Sequence, residues 1–369
     1  MRLPAGVALL LVAAPAGSFA GAGAVASSVA SSVGRAQPAA DVLVVLEKDS
    51  AAARLLDPAS GATLARLPTG PFPHEVAASP DGALAVVADY GAREPGRTLT
   101  VLDLRGRRVL RTVDLGEYRR PHGIVWLPGA GQRVAVTAEQ SQALLVVDVA
   151  AGRVERAIPT GQRGTHMIAL AADGRRAWTA NIGSGSVTAV DVQGGPSGRG
   201  DTLHTRPTGR GPEAIDLSPD GREVWAADRE LDRITVLDAA TLDSLASLPT
   251  GRLPNRLKFT PDGRTVLVSN AAGGTLTVYD ARARRLVATL DMGAGEAGPP
   301  NPENPTGCGA VPLGIQLAPD GRRAWVALNG AGAVAEVALT PGRPEATRIV
   351  RRVAAGAGPD GMAYAAGRR

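Results

Sequence analysis

Seven times along this 369-residue chain a glycine closes an apolar segment and, a few residues later in all units but one, a proline or threonine introduces one variable position. The glycines are Gly70, Gly116, Gly161, Gly209, Gly251, Gly293 and Gly356; the variable residues are His74, His122, His166, Glu213, Asn255, Leu313 and Asp360. Self-similarity at a period of about 40 to 50 residues means stacked or radially arranged units. The regularity therefore bears on architecture, and what changes at the variable slot bears on function. Three of the chain's four histidines occupy it.

Each unit reads as four strands. The slot opens an alternating segment such as Ile215-Asp216-Leu217 or Leu257-Lys258-Phe259, closed by Pro-Asp-Gly at Pro80, Pro219, Pro261 and Pro319. Asp-Gly between two apolar runs is a strong hairpin signal, because glycine supplies the positive φ the turn needs. A second strand follows, then a polar loop with Asp89, Glu139, Asn181, Asp228, Asn270 or Asn329. A third strand ends in aspartate at Asp103, Asp148, Asp191, Asp238 and Asp280, and a fourth runs out to the next glycine. Aspartate at those ends is expected to cap the following turn. After Gly356 only a first strand remains, whereas Val42 to Gly70 holds three strands with no first strand before them. The expected fold is an all-β, seven-bladed β-propeller with four antiparallel strands per blade, the last blade closed by both termini so that no sheet edge is left open.

The succession of an apolar strand, Ser-Pro-Asp-Gly, a second strand, a third ending in Val-x-Asp and a fourth ending in Pro-Thr-Gly resembles the YVTN repeat of YncE-like seven-bladed propellers, over about residues 41–366. The resemblance implies export and binding more than a particular reaction, since one fold hosts many functions. It reaches more distantly to lyase and lactonase propellers. No C-x-x-C-H is present, so a haem-carrying relative is not indicated.

Ahead of the repeats, Met1-Arg2, an apolar run from Val7 to Ala14 and small residues around Ser18-Phe19-Ala20 and Ala24-Val25-Ala26 read as a signal peptide over residues 1–26, with cleavage between 20 and 40. Residues 27–40 read as a flexible leader and 41–369 as one propeller domain. The apolar run is too short to span a bilayer, so an exported protein (secreted, periplasmic or cell-surface) with no transmembrane anchor is expected. Cys308 is the sole cysteine, which leaves stability to packing. The net charge of +5 is carried by arginines scattered through the repeats, and aromatic residues are 3% of the chain. Both features argue against nucleic acid as a partner, leaving a small molecule or a protein. Trp126, Trp178, Trp225 and Trp325 fall on first or second strands, where packing between blades is expected.

The slot should open the innermost strand of each blade, at the channel mouth on the face where one blade hands over to the next. His74, His122 and His166 then come from three consecutive blades as metal-ligand candidates; imidazole suits a divalent transition metal such as Zn or Cu. Glu213, Asn255 and Asp360 are candidates for ligand binding or for orienting a histidine, and Leu313 interrupts the ring. A Pro/Gly-rich insertion at 294–311 carries Cys308 towards the same face, which makes Cys308 and Met167 weaker ligand candidates. His204 lies off the slot and reads as an ordinary strand residue. No G-x-S-x-G elbow, P-loop, EF-hand or H-E-x-x-H pattern occurs. These residues favour a binding protein with a histidine cluster. The alternatives are a lyase or lactonase in which a channel histidine works beside a carboxylate or metal, and a surface or scaffold protein that uses its outer blade faces.

Overall fold

The computed structural model describes residues 40–129, 131–194, 201–293 and 309–367. The expected signal peptide, all but the last residue of the leader, most of the 294–311 insertion with Cys308, and residues 195–200 lie outside them. Among the described residues no helix is long and apolar enough to cross a membrane.

Seven four-stranded antiparallel sheets follow one another, and six of them are built from consecutive strands. The first six blades span Pro73–Asp114, Pro121–Pro159, Thr165–Pro207, Pro212–Pro249, Pro254–Asp291 and Pro312–Ala354. The seventh joins the innermost strand Pro359–Ala365 to Val42–Glu47, Ala52–Leu56 and Thr63–Pro68. The chain is a seven-bladed β-propeller closed by both termini. Second and third strands are buried almost throughout, because each blade is covered on both faces by its neighbours. Fourth strands alternate or face solvent.

Side chains between blades make the core. Trp225 meets Phe259 of the next blade edge-on at 5.4 Å, and Trp325 stacks on Tyr364 at 5.5 Å. The Pro-Asp-Gly hairpins turn with Gly82, Gly221, Gly263 and Gly321 at φ of 65–72°. The third-strand aspartates cap their turns, as where Asp238 Oδ1 accepts the amides of Ala240 and Thr241 at 2.8 and 2.9 Å.

The register explains why the slot is special. Pro73 pairs with Asp89 and Glu75 with Ala88, so His74 is an extra residue with no partner across the ladder. The same one-residue excess occurs at the slot of all seven blades. A β-bulge re-aims the side chain it carries, and here it directs seven of them towards the central axis. The innermost strands meet closely at this level: a Cβ on Gly361 would come within 2.2 Å of the His74 carbonyl oxygen.

Candidate functional site

A cavity of about 630 Å³ opens at the channel mouth, lined by all seven slot residues. A second repeat position completes it. The residue that follows each second strand's end is Lys48, Tyr90, Glu139, Ile182, Arg229, Ala271 or Asn329, and five of these line the same cavity. One wall is therefore ionic and aromatic, and the opposite wall, with Leu253, Ala271 and Leu313, is apolar.

His166 is the hub of the ionic wall. Its Nδ1 lies 2.8 Å from Glu139 Oε2 and its Nε2 lies 3.1 Å from Glu213 Oε1. Burial works against charge on this ring, but the two carboxylates outweigh it and raise its pKa to about 9. Burial likewise opposes ionisation of Glu213, yet His166, Arg256 and Arg229 hold that carboxyl far below its ordinary range. Arg229 Nη1 and Asn255 Nδ2 donate to Glu213 at 2.9 and 3.1 Å. Glu139 also accepts the Tyr90 hydroxyl at 3.1 Å, and Tyr90 keeps its proton because burial, then Glu139, push the phenol upward.

His122 stands against His166 with ring centroids 3.8 Å apart. It is 1% exposed, and its Nδ1 has no hydrogen-bond partner among the described residues. Burial and the neighbouring positive charges drive its pKa well down, so the ring is neutral. His74 is held differently. It stacks on Tyr90 at 4.4 Å, and its Nδ1 is 3.1 Å from the Phe72 carbonyl. Burial lowers its pKa to about 3, so Nδ1–H is the donor and Nε2 carries the lone pair. Asp360 is ion-paired with the buried Lys48 at 3.2 Å, while its Oδ1 lacks a partner. Burial raises this carboxyl, but Lys48 leads the neighbours that hold it low.

The floor is a bridge across the channel. Arg256 of the fifth blade reaches Glu75 of the first at 2.5 Å and Glu213 at 3.4 Å. It also donates to the Asn255 carbonyl at 2.8 Å. Burial opposes the guanidinium charge, but Glu75, Asp360 and Glu213 hold it firmly.

The expected residues thus meet at one mouth, with their partners redistributed. His122 and His166 are joined by Glu139, and one ligand atom from each falls within 4.8 Å of the others; His74 stands beside this group, 4.9 Å from His122 by ring centroids. Met167 is buried in packing between the third and fourth blades, and His204 sits on an exposed fourth strand. Lys48, Glu75, Tyr90, Glu139, Arg229 and Arg256 were not singled out by sequence as site residues. Their signal was register: Glu139 and Asn329 stand one residue beyond the column of Asp89, Asn181, Asp228 and Asn270 with which a casual alignment groups them.

A family model described as "Lactonase, 7-bladed beta-propeller" matches residues 158–289. That stretch carries His166, Glu213, Arg229, Asn255 and Arg256, but neither His122 nor Glu139. No curated protein matches the chain. Among solved structures it is similar to a functionally unknown protein from Desulfotomaculum acetoxidans DSM 771 (16% identity, TM-score 0.70, covering 88% of this chain and 99% of that one). It is also similar to a protein from Lactobacillus plantarum (16%, 0.68, 88% and 99%) and to Kuenenia stuttgartiensis hydrazine synthase (18%, 0.65, 79% and 89%). The likeness is one of fold.

Proposed function

We propose that the chain is an exported propeller of the binding kind, holding one divalent transition-metal ion, zinc or copper, at its channel mouth on His122, Glu139 and His166. The observation that carries this reading is a convergent set of two imidazoles and a carboxylate in which the His122 Nδ1 is buried with no hydrogen-bond partner among the described residues. Two nitrogens and one oxygen suit such an ion. Glu213 and Tyr90 are placed to orient His166 and Glu139 from behind, as outer partners of metal ligands do. Elemental analysis of the purified mature protein after incubation with zinc or copper and desalting should find about one equivalent. Less than about a tenth of an equivalent, unchanged in H122A/H166A, would remove the reading.

Proton release gives a second measurement. In the metal-free protein His166 holds its proton up to about pH 9, and an imidazole must be deprotonated to ligate. Zinc binding at pH 7 should therefore release about one proton, seen as a buffer-dependent heat in titration calorimetry. Affinity should climb roughly tenfold per pH unit until about pH 9.

The lactonase match favours one other reading, hydrolysis of a lactone. Water would add to the carbonyl carbon as Glu139 takes its proton, and the ring C–O bond would break as the protonated His166 gives its proton to the departing ring oxygen. The Glu139 proton would return to His166 across their 2.8 Å contact. Opening of a δ-lactone at a rate above that of buffer, lost in H166N, would support it. Turnover that ignores H166N would end it.

A further inference from the structure

The mouth is not the end of the cationic surface. Three residues before the slot, where the fourth strand of one blade hands over to the next, the chain carries Arg119, Arg163, Arg210 and Arg252 in four consecutive blades, against Pro71, Ala310 and Ala357 in the others. Arg163, Arg210 and Arg252 are exposed, and none of the four makes an ion pair among the described residues. A second cavity of about 360 Å³ lies within this arc, bordered by Arg120 and Arg163 and sharing Glu139 as a wall with the first. Arg120 is held in place there: it covers the Tyr90 ring at 4.5 Å and donates to the Gly91 and Ala92 carbonyls. Its backbone takes φ 57°, the left-handed turn that Phe72, Gly164, Leu253, Val311 and Gly358 share at the same repeat position.

The charges inside the mouth call for the same sign of ligand. Lys48 pairs with Asp360, Arg256 with Glu75, and Arg229 with Glu213. Only Glu139 is left to balance a dication, so a metal-loaded mouth keeps one positive charge in surplus. Arg229, exposed and with a single carboxylate ion-pair partner among the described residues, borders the cavity where that surplus lies.

We propose that the ligand is a small dicarboxylate: one carboxylate sits in the inner cavity beside the metal and Arg229, and the other sits in the outer cavity against Arg120 and Arg163. The outer arginines of the arc raise its local concentration at the entrance. The inference rests on the metal reading for its inner anchor only. Guanidinium favours carboxylate through paired planar N–H donors, and the two cavities either side of Glu139 ask for two such groups on one short chain.

Calorimetric titration of zinc-treated protein with glutarate, acetate and inorganic phosphate tests it. Glutarate should bind at least tenfold more tightly than either of the others. R163Q, at an exposed residue whose side chain makes no hydrogen bond or ion pair among the described residues, should weaken glutarate about tenfold and leave acetate unchanged, and R163E should weaken it further; R229Q should weaken both. Glutarate no tighter than acetate, glutarate indifferent to R163E, or phosphate preferred to glutarate would each overturn the proposal. The two readings fail separately. If the sample takes up no zinc while glutarate still depends on Arg163, the metal falls and the dicarboxylate stands; if zinc binds and glutarate does not, the reverse holds.

Discussion

Two consecutive positions at the end of each second strand behave as different organs. The first holds an acid or amide in five blades (Glu47, Asp89, Asn181, Asp228 and Asn270) and Ala138 or Leu328 in the other two; where it is polar it fastens neighbouring groups, as Asp228 accepts the amides of Arg210, Gly211, Glu230 and Leu231 at 2.6–3.0 Å. The next holds Lys48, Tyr90, Glu139, Ile182 or Arg229 and furnishes the mouth. Successive side chains along a strand project to opposite sides, so one step in sequence separates a scaffold residue from a site residue. Five of the seven residues in the fastening column are acids or amides, whereas the mouth column mixes cations, a carboxylate, a phenol, an amide and aliphatic side chains. That contrast, more than the presence of histidine, marks where this propeller is particular.

Arg256 is the place where the two roles coincide, and the largest effect is expected there. It lies in the mouth, yet its bonds to Glu75 and Glu213 tie opposite sides of the ring. R256M strands the Glu75 carboxylate and removes one of the cations around Glu213, a loss of about 3–5 kcal/mol for a broken buried pair, and E75Q/R256M should recover much of it. Urea unfolding measures both. A single variant within about 1 kcal/mol of wild type would mean that the bridge is only a filler of the mouth.

The next two variants separate the columns. D228A removes an acceptor from four backbone amides and should cost about 2–3 kcal/mol, with zinc stoichiometry unchanged. E139Q should do the opposite: thermal stability close to wild type, and zinc bound about 100-fold more weakly, as for loss of a charged ligand. If E139Q unfolds the protein as D228A does, the division between the columns is false.

The fold was legible because its signals are local. Pro-Asp-Gly turns, strand-end aspartates and closing glycines each act within a few residues, and the split last blade follows from counting them. The slot was legible for the same reason, as a variable residue at a recurring place in the repeat. What escaped was everything that depends on register. Glu139 looks like a member of the fastening column until pairing shows Ala138 opposite Pro121. Arg256 reads as an ordinary strand residue, because its partner Glu75 is 181 positions away and across the channel. Lys48 precedes the first complete blade and meets Asp360 only once the ring has closed.

The smallest effect tests whether the fastening column is as interchangeable as it looks. Asp89 is buried, and burial raises its carboxyl from an ordinary 3.8 to about 6 against the pull of Thr100, Thr98 and the Gly70 amide. The folded chain therefore holds a proton that the unfolded chain releases between about pH 4 and pH 6. Stability from this group is greatest below that window and falls as pH rises through it. In the third and fifth blades the same position is Asn181 and Asn270, and Asn181 shows how an amide serves: its Nδ2 donates to Ser186 and Thr188 at 3.1 and 2.9 Å. In D89N the Oδ1 can keep the Gly70 amide while Thr98 and Thr100 turn their hydroxyls to accept. D89N should then be more stable than wild type by on the order of 1 kcal/mol at pH 7.5, and should lose that advantage at pH 4.5. Comparing the two proteins at each pH by urea unfolding cancels every titration they share. A difference that does not change between the two pH values would show that Asp89 is already ionised in the fold, held by its three donors more strongly than burial opposes them.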